Sequence, residues 1–135
     1  MQLARWCHEQ PNRLVSVAAG VEAFGAKLRR VTFRGCKLDS VNFRDAALTE
    51  VTFDNCDLRD VDFAGATLTR AAFPGSRLTR TDFSQARMDK TDLRGAELGV
   101  IIGQDSLRGA IIAAAQLVYL APVLAETMGI TVSDD

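Results

Sequence analysis

At 135 residues the chain has room for one domain with a real core and too little for two ordinary ones. Apolar residues make up 47% and charged residues 24%, which excludes the composition of a disordered chain. The net charge of −1, from 16 basic and 17 acidic side chains, gives bulk charge no preference for a polyanion partner or for an acidic decoy.

The first ten residues, MQLARWCHEQ, lack the apolar core of a secretory signal. Leu3, Trp6 and Cys7 fit one face of a short helix that stops before Pro11. Leu14, Ala19 and Phe24 keep a spacing of five but are out of register with Leu28 and its successors. Residues 1–25 are therefore expected to form an irregular cap and a distorted first coil.

From Leu28 onward a large apolar residue recurs at every fifth position: Leu28, Phe33, Leu38, Phe43, Leu48, Phe53, Leu58, Phe63, Leu68, Phe73, Leu78, Phe83, Met88, Leu93 and Leu98. A period of five is neither the 3.6 of a helix nor the 2 of a strand. It fits a wound chain in which each five-residue step is one side of a coil, and these residues form the expected core. Two positions before each large residue sits a small one, and its identity repeats every twenty residues. Ala26, Ala46, Ala66 and Ala86 form one column, and Val31, Val51, Ala71 and Thr91 the next. Cys36, Cys56, Ser76 and Ala96 come third, then Val41, Val61 and Thr81, all read as positions that ask only for small size. Four sides of five residues make a square coil; a three-sided one would repeat every fifteen.

Stacked coils sit about 4.8 Å apart, so the array of about 3.75 coils spans roughly 18 Å. The other three positions of each repeat are expected to face water and hold most of the charge, as at Arg29, Arg30, Asp54, Asp60, Arg80 and Asp82. Asp62, Asp82 and Asp92, each just before a central residue, are expected to be solvated. Gly35, Gly65, Gly75 and Gly95 occupy the last repeat position, where the chain turns a corner.

Segments such as Val61-Asp62-Phe63-Ala64-Gly65, Ala66-Thr67-Leu68-Thr69-Arg70 and Thr91-Asp92-Leu93-Arg94-Gly95 resemble the A(D/N)LxX motif of the pentapeptide repeat family. The resemblance covers residues 26–100, and an array this long without a slip is a specific signal. It implies an all-β solenoid, a right-handed quadrilateral parallel β-helix of about four coils. The square section agrees with the twenty-residue period; the handedness comes from the resemblance alone.

The array breaks around Val100 to Asp105 and resumes in part with Leu107 and Ile112, so residues 101–112 are expected to be an interrupted last coil. Residues 113–135 are expected to be a helical cap and tail. A first helix runs from Ala113 to Ala121, and a second opens at Pro122 and ends near Gly129. Leu117, Leu120, Ala121, Leu124 and Met128 fall on one stripe. This stretch is similar to the C-terminal segment of bacterial, especially actinobacterial, family members. The stripe can serve as a lid on the last coil, as a homodimer contact of the kind the family uses, or as both. The apolar run from Ala110 to Ala125 is broken by Gln116 and Pro122, so no membrane span is expected.

Nothing in the chain resembles a catalytic constellation, and neither enzyme activity nor a small-molecule substrate, cofactor or metal is expected. His8 is the single histidine, which argues against His-dependent triads and multi-histidine sites; Cys7 beside it is read as an end residue with no special role. Three cysteines with no ligand or redox spacing fit a reducing cytoplasm. Cys36 and Cys56 should stack within disulfide range, but inward packing as small core residues is the favoured reading.

The family resemblance implies a candidate partner, a type II topoisomerase such as DNA gyrase, bound through an acidic surface that mimics duplex DNA. Sorting charges by side disfavours it. The side centred on Leu28, Leu48, Leu68 and Met88 carries Lys27, Arg29, Arg30, Arg70, Arg87 and Lys90 against Glu50 and Asp89, a net +4. The sides centred on Phe33 and Leu38 balance to 0, and the side centred on Phe43 nets −2. A duplex mimic needs dense negative charge. Direct nucleic-acid binding is not expected either, because no aromatic residues interleave the basic ones. The expected function is a scaffold or protein-interaction module with an unidentified partner, the six cations being its candidate interaction face.

Overall fold

A computed structural model of the chain describes residues 23–39 and 41–135. The expected N-terminal features at Leu3, Trp6, Cys7, His8, Leu14 and Ala19 lie outside the described residues. The rest is a four-sided parallel β-solenoid of about four coils, closed at its C-terminal end by one helix.

The first side is a continuous parallel sheet of β1 (Lys27–Arg29), β3 (Ala47–Thr49), β5 (Thr67–Thr69) and β7 (Arg87–Asp89), in the order β1-β3-β5-β7. Its register places Leu28 over Leu48, Leu48 over Leu68 and Leu68 over Met88, each twenty residues on. The second side pairs β2 (Thr32–Arg34) with β4 (Thr52–Asp54) and continues through Thr52–Ala72 and Ala72–Asp92 bridges. The third stacks Lys37, Asp57, Arg77 and Glu97, and the fourth Asn42, Asp62 and Asp82. At the corners, every described fifth position from Gly25 to Gly95 has positive φ, including Arg30, Glu50, Arg70 and Lys90. The corner demands the left-handed conformation whether or not glycine supplies it.

All fifteen repeating large residues are buried, Met88 most exposed at 8%. Phenylalanines of opposite sides fill the bore in two stacks. Phe33–Phe53 and Phe53–Phe73 stack at 5.2 and 5.1 Å between ring centres, and Phe43–Phe63 and Phe63–Phe83 at 5.1 and 5.3 Å. Across the bore Phe53 meets Phe43 and Phe63 edge-on at 6.0 Å, the arrangement that aromatic quadrupoles favour. The register extends one step before Leu28, because Ala23 is buried and bonds to Asn42. Phe24 points outward at 59% exposure rather than forming part of an inner coil.

The small column centred on cysteine and serine does more than save space. The turn from Phe53 to Cys56 lacks its own closing bond. The Ser76 hydroxyl, one coil on, donates to the Phe53 carbonyl at 2.6 Å and accepts from the Cys56 N–H at 3.0 Å. The Cys56 thiol likewise donates to the Phe33 carbonyl at 3.3 Å. Thr81 and Thr91 donate to the Leu58 and Leu68 carbonyls, both at 2.8 Å. Buried polar groups persist only when paired, and here they stitch one coil to the next. Cys36 and Cys56 are buried thiols rather than a disulfide, and the hydrogen bond between them, then burial, holds the Cys56 thiol well above its ordinary range.

Asp62, Asp82 and Asp92 are not simply solvated. They are half-buried or nearly so, and each Oδ1 accepts the N–H two residues later, of Ala64, Ser84 and Arg94, at 2.8, 2.8 and 2.9 Å. A short acidic side chain reaches its own turn more readily than any longer one. The neighbouring outward positions are often half-buried too, and Ala64 is buried outright, because the turns of adjacent coils cover them.

Candidate functional site

The array keeps its twenty-residue register further than its apolar pattern indicates. In β9 (Ile101–Ile102) Ile101 pairs with Thr81 of β6 (Thr81–Asp82) and Ile102 with Asp82. Ile101 is buried in the small column while Gly103 stands at the large position, so the two sizes are exchanged. A Cβ on Gly103, at φ 84°, would lie 2.6 Å from the Ser84 nitrogen. The break comes after it, where a 3-10 turn over Gln104–Leu107 takes the place of a strand beside β7. Gly109 lies so close to the Met88 carbonyl that no Cβ fits there. Then β10 (Ala110–Ile111) pairs with β8 (Thr91–Asp92) in a register of nineteen, one residue short.

One helix, α1 (Ala114–Thr127), closes this end, and Pro122 lies inside it rather than opening a second helix. The proline forfeits a single bond, to the Val118 carbonyl; both residues are exposed, so water can reach that oxygen. At the C-terminal end Gly129 at φ 75°, with bonds from Gly129 N–H to Glu126 O and Ile130 N–H to Ala125 O, forms a Schellman stop. The face toward the solenoid is Gln116, Leu120, Val123 and Leu124, with Leu120 buried. Leu117 and Met128 of the expected stripe are 49% and 75% exposed, and Ala121 is exposed as well. The Gln116 amide donates to Leu93 O at 2.7 Å and Ala96 O at 3.0 Å, and its oxygen accepts from the Ala113 N–H at 2.8 Å. Gln116 thus extends the Cys36–Cys56–Ser76–Ala96 column onto the lid. Between the 3-10 turn and α1 runs a mostly apolar groove of about 410 Å³, lined by Leu107, Ile112, Leu120, Leu124 and Met128 among others.

On the outer sides, many opposite charges cancel one coil apart. Glu50 is shared by Arg30 at 3.6 Å and Arg70 at 3.0 Å. Asp60 takes Arg80 at 2.7 Å, Asp54 takes Arg34 at 3.7 Å, and Glu97 takes Arg77 at 3.9 Å. Asp57–Arg59 and Asp92–Arg94 pair within a single turn at 2.6 and 2.9 Å, and Arg44 reaches Asp62 at 3.1 Å. The arginine hydrogen bond is the first cause that holds Asp57 and Asp92 below the ordinary carboxylate range. Of the six cations of the candidate face, Arg30 and Arg70 are thus engaged by Glu50. Lys27, Arg29, Arg87 and Lys90 are exposed and make no ion pair among the described residues. All six lie on or at the corner of the first side.

The family model for the pentapeptide repeat region matches residues 26–101. The chain belongs to the pentapeptide repeat family. Among curated proteins none matches it by sequence. Among solved structures this repeat protein is similar to Rfr23, a pentapeptide repeat protein of the cyanobacterium Cyanothece 51142. The two are 18% identical, cover 77% of this chain and 82% of that one, and superpose at a TM-score of 0.64. A pentapeptide repeat protein of the Arabidopsis thaliana thylakoid lumen is 24% identical over 82% of this chain and 76% of its own, at a TM-score of 0.58. One from Nostoc PCC 7120 is 22% identical over 73% and 86%, at 0.52. At these identities the likeness establishes the fold.

Among the described residues no group of three or more His, Cys, Asp or Glu side chains could hold a metal ion, and no helix is long and apolar enough to cross a membrane. The residues that sequence reasoning missed are Ser76, Thr81, Thr91 and Gln116. Their signal was present as polar side chains in columns that are otherwise apolar.

Proposed function

We propose that this repeat protein is a non-catalytic scaffold that binds a protein partner through the outside of its coil. The single observation that supports this most is the filled bore: the central residues and phenylalanine stacks occupy the interior of the array, so binding falls to the outer sides and the capped end. Of these, the first side offers the one four-stranded sheet among the described residues and the candidate cations. A homodimer through the C-terminal end belongs to the same reading, because Leu117, Val118, Tyr119 and Met128 remain exposed there. A cytoplasmic setting fits the two buried thiols, which form no disulfide.

DNA mimicry is the reading this surface opposes. Most carboxylates of the array, Glu50, Asp54, Asp57, Asp60, Asp62, Asp92 and Glu97, are taken up by arginines about one coil away or within a turn, where a duplex mimic would leave them to its partner. Purified gyrase is expected to supercoil DNA equally well with and without the protein. Affinity capture from the source cell, with Arg29, Arg30 and Arg70 reversed to glutamate, tests the scaffold. A protein partner held by the parent chain and released by the variant is expected. Turnover of a substrate by the purified chain, or capture indifferent to reversal of every outer side, overturns it.

A further inference from the structure

We infer that Cys36 and Cys56 form a redox modification site, a dithiol that a small hydroperoxide converts into a disulfide pinning the first described coil to the second. The inference is independent of the scaffold reading. The two residues stand one above the other in a single column, and the Asp57 N–H donates to the Cys36 carbonyl at 2.9 Å. The next position along pairs in parallel register, Lys37 with Asp57. In-register neighbours on adjacent coils have Cα atoms about 4.8 Å apart, inside the range that a disulfide spans. Both side chains are buried, so their Cβ atoms point the same way, into the bore. That holds the Cβ atoms at about the Cα spacing, a little wider than the roughly 3.5–4.5 Å of a bridged pair. A bond closed across this gap draws the two coils together.

Hydrogen bonding alone does not account for sulfur at both positions. Ser76, next in the column, links its coil to the one before with a hydroxyl, and Ala96 fills the following place with no polar atom at all. What two stacked thiols add is chemistry with each other. In the closed bore that chemistry is slow: the Cys56 thiol donates to the Phe33 carbonyl at 3.3 Å, and its bonding with Cys36, then burial, keeps it protonated. A solenoid coil contacts only its neighbours, so this interface opens without unfolding the coils beyond it. Across it the ion pairs Arg30–Glu50 and Arg34–Asp54 are exposed and hold weakly. Once it opens, the Cys36 sulfur attacks the peroxide as thiolate. A sulfur–oxygen bond forms, the O–O bond breaks, and the hydroxide released takes up the Cys36 proton as water. When the coils close, the Cys56 sulfur attacks the sulfenic sulfur, the S–S bond forms, and the Cys56 proton leaves with the hydroxyl as a second water. Two thiols and one peroxide become one disulfide and two waters.

The test treats the full chain with hydrogen peroxide, then with dithiothreitol, and follows intact mass, proteolytic mapping of linked peptides, hydrogen exchange and the urea midpoint. A loss of two hydrogens that maps to Cys36–Cys56 is expected, faster in mild urea than in water and undone by dithiothreitol. In the oxidised chain the amides of the first two described coils should exchange about tenfold more slowly, and the urea midpoint should rise. Cys36→Ser and Cys56→Ser should each abolish the link and both gains. Ser76 shows that this column accepts a hydroxyl, so the serine variants should stay folded, and the urea midpoint of each is measured without oxidant. Cys36→Ala, on the precedent of Ala96, repeats the test if either serine variant fails to fold. Sulfinic acid at either cysteine without a link, a link through Cys7 in place of this one, or no link while exchange shows the interface opening overturns the inference. So does a Cys36–Cys56 link that leaves exchange in the first two coils unchanged.

Discussion

The middle coils and the C-terminal end solve the same problem, covering a column of backbone and apolar side chains, by different means. In the middle each coil covers the last by repetition: Phe over Phe, Leu over Leu, at a constant interval of twenty. At the end, repetition is abandoned in three steps, an exchange of sizes at Ile101 and Gly103, a register one residue short at β10, and a helix laid across the opening. A coil can use identical neighbours because each neighbour offers the same surface. The last coil has none below it, so its exposed edge must be satisfied by groups of another kind.

Breaking the middle should cost most. Phe63 stacks on Phe43 and Phe83 and meets Phe53 and Phe73 edge-on, so Phe63→Ala should destabilise the fold by about 3–5 kcal/mol in a urea titration. Thr69→Ala, on the outer face, should stay within about 0.5 kcal/mol. Similar small losses at both would mean that repetition of the core is not what holds the coils.

Ser76→Ala should come next, at about 1–3 kcal/mol, because it strands the Phe53 carbonyl and the Cys56 N–H in a buried place. Ser76→Cys should cost less, since the Cys56 thiol makes the corresponding bond one coil earlier. Ser76→Cys as damaging as the alanine would show that the column does not interchange hydroxyl and thiol.

At the end, Gln116→Ala should cost about 1 kcal/mol and should be felt locally. Hydrogen exchange is expected to speed up in α1 while the amides of coils two and three stay protected. Uniform acceleration throughout would mean the lid and the coils unfold as one unit.

The smallest effect concerns charge. Asp57 has its pKa lowered in the fold, first by Arg59, so it contributes stability above the unfolded carboxylate value of about 4, and this contribution is lost as pH falls through the lower folded value. The bonds also hold its own turn, since Asp57 accepts from the Arg59 N–H at 3.1 Å. Asp57→Asn should therefore lower the denaturant midpoint at pH 7 and make little difference at pH 2. An equal loss at both values would assign the effect to the turn alone and not to the ion pair.

The sequence by itself determined the square coil, its four columns, the buried Leu and Phe positions and the cations that share one side. It could do so because a constant interval of twenty turns chain position directly into spatial position, and every repeat reports the same relation. The hydroxyl and thiol links also obey a constant interval, twenty-three residues, but reading them requires knowing which carbonyls of the coil before face the bore column. Where the interval changes, the sequence loses that translation. Phe24 turned outward while Ala23 took the inner place; the register slipped by one at β10; Pro122 stayed within α1; and the lid turned Gln116 and Leu120 inward rather than Leu117 and Met128. Only the tertiary structure decided these, because each depends on what an open coil edge must bond to and cover, which no local pattern encodes.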